Sequence, residues 1–272
     1  MKLTDLYAAS DEICLYCAGP RPARRTLADL LGLNRPDPLC AECRSQLPLL
    51  HAAPKTSTAK ASARTTSAAH LSAIAHATHA TTCPTCSRPQ PHATPCNDCR
   101  RWSESAHWHD LITHNISLYA YNDFLKDYIA RWKYRGDAVL ATAFRHDLLR
   151  TYRKHFDRSI AVPIPLSTER HSERGFNQSE QLTDIIAAVA PTRHYLTRTS
   201  HEQKQSKRSR HSRLHDTTSR PFELAAHPEQ IHAKHFVLID DIYTTGLTVR
   251  KAARPLIEAG AASVAALTVA RS

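Results

Sequence analysis

No apolar run in the 272-residue chain approaches the roughly 20 residues that a membrane-spanning helix needs. Residues 1–12 carry Asp5, Asp11 and Glu12 and lack the apolar core of an export signal, which points to the cytoplasm. No cysteine stands alone: all eight fall in Cys-x-x-Cys pairs, at Cys14/Cys17, Cys40/Cys43, Cys83/Cys86 and Cys96/Cys99. A disulfide framework would need an oxidising compartment, and a thioredoxin-like redox site needs one such pair after a strand, not four. Acidic residues are in short supply. Against 36 Lys and Arg there are 25 Asp and Glu, a formal charge of +11 and a pI near 9.4. That excess suits a polyanionic partner, either nucleic acid or a polyphosphate substrate, although a basic solvated surface gives the same count. With 42% hydrophobic residues the composition is that of a globular chain of one or two domains.

Tetrahedral zinc takes four thiolates, and two Cys-x-x-Cys knuckles supply them. Residues 1–50, with Cys14, Cys17, Cys40 and Cys43, read as one zinc ribbon, capped by Leu47, Leu49 and Leu50. Residues 83–105, with Cys83, Cys86, Cys96 and Cys99, read as a second, and pairing crossed between the two ribbons is open at this level. Four cysteines leave no open coordination position, so both sites are expected to be structural. Between them, residues 51–82 are rich in Ala, Ser, Thr and His and have no aromatic residue. Such a segment buries too little apolar area to offset its ordering entropy and reads as a flexible linker, with a helix over 67–80 as the alternative. Its His70, His76 and His79 are read as solvated side chains rather than ligands.

The remainder, 106–272, has an α/β pattern, and one stretch in it carries chemistry. Val237-Leu-Ile239 is a short apolar run, as in a buried parallel strand, and it ends in Asp240 and Asp241. Thr244-Thr-Gly-Leu-Thr248 follows, and then Val249, Ala252, Ala253, Leu256 and Ile257 fall on one helical face. Acids at the carboxyl end of a strand, over a Thr/Gly loop opening a helix, lie where ligands bind in open α/β sheets. Backbone N–H groups, hydroxyls and the positive helix end make the loop a phosphate cradle, with Gly246 allowing close backbone approach. The carboxylates accept from a sugar diol. A ribose bearing a 5′-phosphate satisfies both halves. A buried strand ending in solvated acids, with Thr as helix N-cap, is the plain alternative.

Elsewhere, Ser117–Tyr121 reads as a strand, and Leu125, Tyr128, Ile129 and Trp132 lie at helical spacing. A turn at 133–137 leads to a helix over 138–155. Ile160–Leu166 reads as a strand whose prolines push it to an edge or an end. Residues 167–178 read as a loop, in which Arg170 and Arg174 have the donor geometry for a diphosphate or are simply solvated cations. Leu182, Ile185, Ile186 and Val189 form a helical face, and Ser263–Ala270 a final strand. Residues 192–220 carry eight Lys and Arg against Glu202 and Asp216; they suit a lid, a nucleic-acid footprint or an exposed basic loop. Trp132-Lys-Tyr-Arg135 interleaves aromatics and cations as single-strand binders do, but its aromatics also fit a core-facing helix.

The Asp240–Thr248 stretch resembles the PRPP-binding motif of type I phosphoribosyltransferases, where PRPP is 5-phosphoribosyl 1-diphosphate. Together with the cysteine pairs, Trp132-Lys-Tyr-Arg-Gly-Asp137, Val162-Pro-Ile-Pro-Leu166 and Arg174-Gly-Phe-Asn-Gln178, it makes the chain resemble the ComF family over nearly its whole length, the 51–82 linker excepted. In the segment before the PRPP strand, Gln205, Arg213 and Phe222 match the family pattern, and its Asn position falls on Asp216 or His215. The resemblance implies a type I phosphoribosyltransferase fold, a parallel sheet with helices on both faces, preceded by two small zinc ribbons. It implies PRPP held with magnesium: Asp240 and Asp241 on the ribose hydroxyls as catalytic residues, Thr244, Thr245, Gly246 and Thr248 on the 5′-phosphate, and Arg170 and Arg174 on the diphosphate. It also implies a role in natural competence, DNA uptake or DNA utilisation, with single-stranded DNA and the uptake machinery as partners. Two activities fit: a phosphoribosyltransferase whose acceptor the sequence does not name, or a non-enzymatic DNA-handling or regulatory protein that keeps the PRPP site as a sensor.

Overall fold

The computed structural model describes residues 13–21, 37–50, 81–199 and 220–272. Most of the 51–82 linker, with His70, His76 and His79, lies outside them, as do Gln205, Arg208, Arg210, Arg213, His215 and Asp216.

In each ribbon one Cys-x-x-Cys pair sits in a knuckle and the other on a short helix. Cys14 N–H donates to Gly19 O and Cys83 N–H to Arg88 O, both at 2.8 Å, and the residue in the turn, Ala18 or Ser87, takes positive φ. Helices α1 (Ala41–Ser45) and α2 (Asn97–Glu104) carry the second pairs. The central sheet has four strands, β1 (Asn115–Ala120), β2 (Ile160–Pro163), β5 (His235–Tyr243) and β6 (Ser263–Arg271), in the order β1-β6-β5-β2 and all parallel. Strands β3 (Leu196–Arg198) and β4 (Phe222–Leu224) form a separate antiparallel pair.

Alternation along β5 separates two cores. Val237 and Ile239 pack with helices α3 (Asp123–Tyr134), α4 (Arg145–His155) and α6 (Gln178–Ile186), and with Cys14, Leu39, Cys43 and Leu47 of the first ribbon. Phe236 and Leu238 pack with α7 (Leu247–Glu258), the β3–β4 pair and the second ribbon. Helices therefore cover both faces, as expected, and each face also carries one ribbon.

Local chemistry explains the boundaries. The Asn122 side chain caps α3 by accepting from Leu125 N–H at 2.8 Å, and α3 buries Leu125, Tyr128, Ile129 and Trp132. Pro163 ends β2, an edge strand. Irregular chain covers both sheet edges. On β1, Leu50 N–H donates to Leu118 O and Ala120 N–H to Pro48 O; on β2, Ala161 N–H donates to Pro191 O and Arg193 N–H to Ala161 O.

Three expectations change. Residues 138–144 form a 3-10 helix rather than the start of α4. Tyr128 Oη–H and Arg44 Nη2 donate to the carbonyls of Leu140 and Ala143, at 2.8 Å each, which takes up acceptors an α-helix would use. The 167–178 loop contains a helix, α5 (Thr168–Arg174), capped by Ser167 and ended by Gly175 at φ +74°; it buries no residue, so it left no apolar period to read. Of the three leucines after Cys43 only Leu47 is buried, and Leu49 is exposed while its backbone bridges to Tyr119. Among the described residues no helix is long and apolar enough to cross a membrane.

Candidate functional site

Strand β5 delivers Asp240 and Asp241 to its carboxyl end, beside the N-terminus of α6 and the C-terminus of α3. Each carboxylate accepts from the next backbone N–H: Asp241 N donates to Asp240 Oδ1 at 2.9 Å, and Ile242 N to Asp241 Oδ1 at 2.7 Å. Ser179 Oγ, on α6, donates to Asp240 Oδ1 at 3.3 Å, and Lys133 Nζ, on α3, pairs with Asp241 Oδ2. Burial, and then the adjacent Asp241 carboxylate, raise Asp240 to about 7.

The carbonyls of the loop after β5 are all engaged by side chains and backbone of other residues. Tyr243 O accepts from Ser272 N–H and from Arg271 Nη1, both at 3.1 Å. Thr244 O accepts from Arg271 Nη1 at 2.8 Å, and Thr245 O from Trp102 Nε1 at 2.7 Å. Gly246 O accepts from Arg250 N at 3.1 Å and Arg250 Nη1 at 3.3 Å. The N–H groups of Thr244, Thr245 and Gly246 find no hydrogen-bond partner among the described residues. Helix α7 starts with Gly246 as N-cap and no side-chain cap, so Thr is not the cap; Thr245 Oγ1 only accepts weakly from Leu247 N–H, at 3.4 Å. Gly246 sits at φ +84°, and a Cβ there would collide with the Tyr243 hydroxyl and come within 2.6 Å of Arg250 Nη1. Close packing behind the loop is thus a second reason for glycine. Arg250 and Arg271 are both buried, so two guanidiniums lie beneath the loop.

The structure brings Asp240, Asp241, Thr244, Thr245, Gly246 and Thr248 together in one continuous segment, with the Thr244 and Thr248 side chains exposed. The arginines of α5 differ from each other. Arg170 is exposed and Arg174 is half-buried, its Nη1 on Gln178 Oε1 at 2.8 Å and its guanidinium over the Tyr134 ring at 5.3 Å. Trp132 packs in the core with Nε1 on Gln181 Oε1 at 2.7 Å, whereas Tyr134 is exposed. Lys133, Ser179, Trp102, Arg250 and Arg271 were not singled out from sequence. Lys133 and Ser179 have a signal, since they lie inside or beside the Trp132–Asp137 and Arg174–Gln178 motifs. Arg271 lies one residue past the expected end of the last strand.

The cysteines form two groups, Cys14/Cys17/Cys40/Cys43 and Cys83/Cys86/Cys96/Cys99, with the sulfurs of each group within 4.8 Å of one another. The within-ribbon pairing holds, and the crossed alternative does not. Four converging sulfurs with no oxygen or nitrogen ligand fit zinc. Donors to sulfur support the thiolates: Gly19 N–H to Cys17 at 3.4 Å, Cys96 N–H to Cys83 at 3.3 Å, and Arg271 Nη2 to Cys86 at 3.4 Å.

A parallel sheet with an acid pair and a phosphate-shaped loop at one strand end defines a phosphoribosyltransferase-type domain. The phosphoribosyl transferase domain family matches residues 177–272, which include α6, the acid pair and the loop. The whole chain is similar to competence protein ComFC of Bacillus subtilis (strain 168), with 35% identity over 271 residues, 96% of this chain and 95% of that protein. The chain belongs to the ComF family. It is also 33% identical to competence protein ComFC of Streptococcus pneumoniae over 189 residues, 70% of this chain and 80% of that one. DNA utilization protein YhgH of Escherichia coli (strain K12) is 29% identical over 202 residues, 69% of this chain and 82% of that one.

Proposed function

We propose that the protein binds PRPP with magnesium at Asp240, Asp241 and the Thr244–Thr248 loop, and that it acts in the cytoplasm in DNA uptake or DNA utilisation through single-stranded DNA. The observation that carries the PRPP reading is the loop whose carbonyls are taken up by Arg271, Trp102 and Arg250, while the N–H groups of Thr244, Thr245 and Gly246, next to the acid pair in the chain, have no partner among the described residues. The loop N–H groups and the hydroxyls of Thr244, Thr245 and Thr248 hold the 5′-phosphate, and the two buried guanidiniums beneath add positive potential. The carboxylates of Asp240 and Asp241 accept from the ribose hydroxyls. Magnesium, when bound, neutralises and orients the diphosphate. Arg170, exposed on α5, is the freer of the two arginines to reach that group. If transfer occurs, an acceptor bonds to ribose C1 as the C1–O bond to diphosphate breaks, and the acid pair stabilises the positive charge that develops on the ribose. Zinc in each four-cysteine group is closed to substrate and structural.

Calorimetric titration with PRPP, with and without magnesium, tests this reading. Wild type should bind, and Asp240→Ala with Asp241→Ala should abolish binding without unfolding; equal affinity in the folded double variant would remove the site. Diphosphate release then separates a transferase from a sensor that binds PRPP without turnover.

The DNA role is supported by the names of the relatives and by the charge of the chain. Arg198 on β3 and Arg220 beside β4 lie within the basic segment, and Arg220 lines a groove on α7 with Lys251, Arg254 and Glu258, to which it is paired at 3.1 Å. Counterion release should make single-strand binding fall steeply with salt. Charge reversal of Lys207, Arg208 and Arg210 to Glu should weaken binding and flatten the salt slope in fluorescence anisotropy. An unchanged slope would take the DNA footprint off this segment.

A further inference from the structure

The second ribbon reaches the phosphate loop through two side chains, and the first ribbon does not. Trp102 lies on α2 one turn after Cys99, and its Nε1–H is the donor on Thr245 O. Its ring also lies under Arg250, whose guanidinium sits 4.7 Å from the ring centroid and donates to Gly246 O. Arg271 is a bridge: Nη2 donates to Cys86 Sγ at 3.4 Å, while Nη1 donates to Thr244 O at 2.8 Å. A planar guanidinium holds both ends in fixed relative geometry, so the sulfur and the loop carbonyl constrain one another. The first ribbon is tied instead to α3 and β1, by Arg131 Nη1 on Tyr16 O at 2.6 Å, Tyr16 Oη–H on Asp127 at 2.6 Å and the Pro48 and Leu50 backbone. None of its hydrogen bonds among the described residues reaches residues 243–248.

We propose that the second cysteine cluster is the rear support of the phosphate loop, and that Trp102 and Arg271 are the positioning residues through which it acts. They hold the carbonyls of Thr244 and Thr245 away from the ligand, and so orient the N–H groups that meet the anion. The proposal rests on reading this loop as the phosphate site. It assigns the second ribbon a part in ligand affinity and leaves the first with a purely architectural one.

The test uses the full chain with Trp102→Phe, which keeps an aromatic ring under Arg250 and removes the N–H donor along with part of the buried indole, a packing loss that the melting temperature reads separately. Arg271→Lys keeps the charge and loses the fork, and Tyr16→Phe serves as the matching control in the first ribbon. Metal content, melting temperature, amide hydrogen exchange over residues 244–249 without ligand, and PRPP affinity with magnesium are measured for each. Trp102→Phe and Arg271→Lys should keep their metal and exchange faster over 244–249; Trp102→Phe should bind PRPP about five- to tenfold more weakly, the worth of one neutral hydrogen bond, and Arg271→Lys at least as weakly, since its donor is charged. Tyr16→Phe should leave both readouts unchanged. Wild-type exchange and affinity in a metal-replete Trp102→Phe would overturn the proposal. If wild type fails to bind PRPP, the functional reading falls, and the exchange data, which need no ligand, still decide this one.

Discussion

Lys133, the next-to-last residue of α3, places its ammonium on the carboxylate of Asp241 at the end of β5. Both side chains are largely buried, at 13% and 12% exposure, so the pair is screened little by water. The acid pair therefore carries its own counterion from a helix outside the matched domain region of 177–272. Lys133→Met should destabilise the fold by about 1.5–3 kcal/mol, because it leaves a mostly buried carboxylate without its charged partner. Denaturant unfolding measures this, and a loss as small as that of an exposed ion pair, below about 1 kcal/mol, would contradict the geometry.

Asp240 gives the stability a pH dependence of unusual sign. In the unfolded chain an aspartate titrates near about 4, whereas burial and then the Asp241 carboxylate hold Asp240 near about 7 in the folded protein. Between those values the folded state binds more protons than the unfolded one, so this group lowers stability as pH rises and its effect levels off above about 7. Asp240→Asn should abolish that decline and be the more stable protein at alkaline pH. PRPP affinity of the wild type should rise around pH 7, as the folded-state carboxylate ionises. The Lys133 ammonium draws Asp240 down, so Lys133→Met should move the upper end of the stability window, and the rise in affinity, to higher pH.

Gly246 and Gly175 separate backbone strain from crowding. Both have positive φ, +84° and +74°, but a Cβ at Gly175 meets nothing within 4 Å. Gly175→Ala should cost about 1–2 kcal/mol from conformation alone. Gly246→Ala should cost more, since the Tyr243 hydroxyl and Arg250 must also shift, and it should weaken PRPP binding severalfold. Thermal unfolding and calorimetry of the two variants check both expectations.

The two metal groups should differ in lability. Cys17 is exposed, whereas Cys83, Cys86, Cys96 and Cys99 are all buried. Metal analysis should give about two zinc ions per chain by four-thiolate coordination. Under graded chelation the first should leave faster, with PRPP affinity falling only on loss of the second. Simultaneous release of both ions would contradict the difference in burial.

What could be read from sequence was what is local. The β5 run, its acids and the loop are contiguous, so strand, turn and helix signals sufficed to place them at one strand end. The cysteine spacing likewise grouped the ligands correctly. Lys133, Trp102 and Arg271 reach the site only through tertiary packing, and no period or spacing ties Trp102 in a ribbon helix to the carbonyl of Thr245. The α5 helix escaped because its face is solvated throughout, and the 3-10 stretch because side chains from other elements claim its carbonyls.

The covered sheet edges have a consequence for association. Pro48–Leu50, the end of the first ribbon, bonds β1 at Leu118 and Ala120, Thr85 and Ser87 of the second ribbon bond it at Asn115 and Ser117, and Pro191–Arg193 occupies the outer edge of β2. Among the described residues, a strand from another chain finds no open row of backbone groups at either side of the sheet. The first ribbon thus works as a stopper on an adhesive margin. Prising it off by removing its metal would uncover the Leu118–Ala120 end of that margin, so the first-metal-free protein should self-associate as its concentration rises while its dilute form still binds ligand.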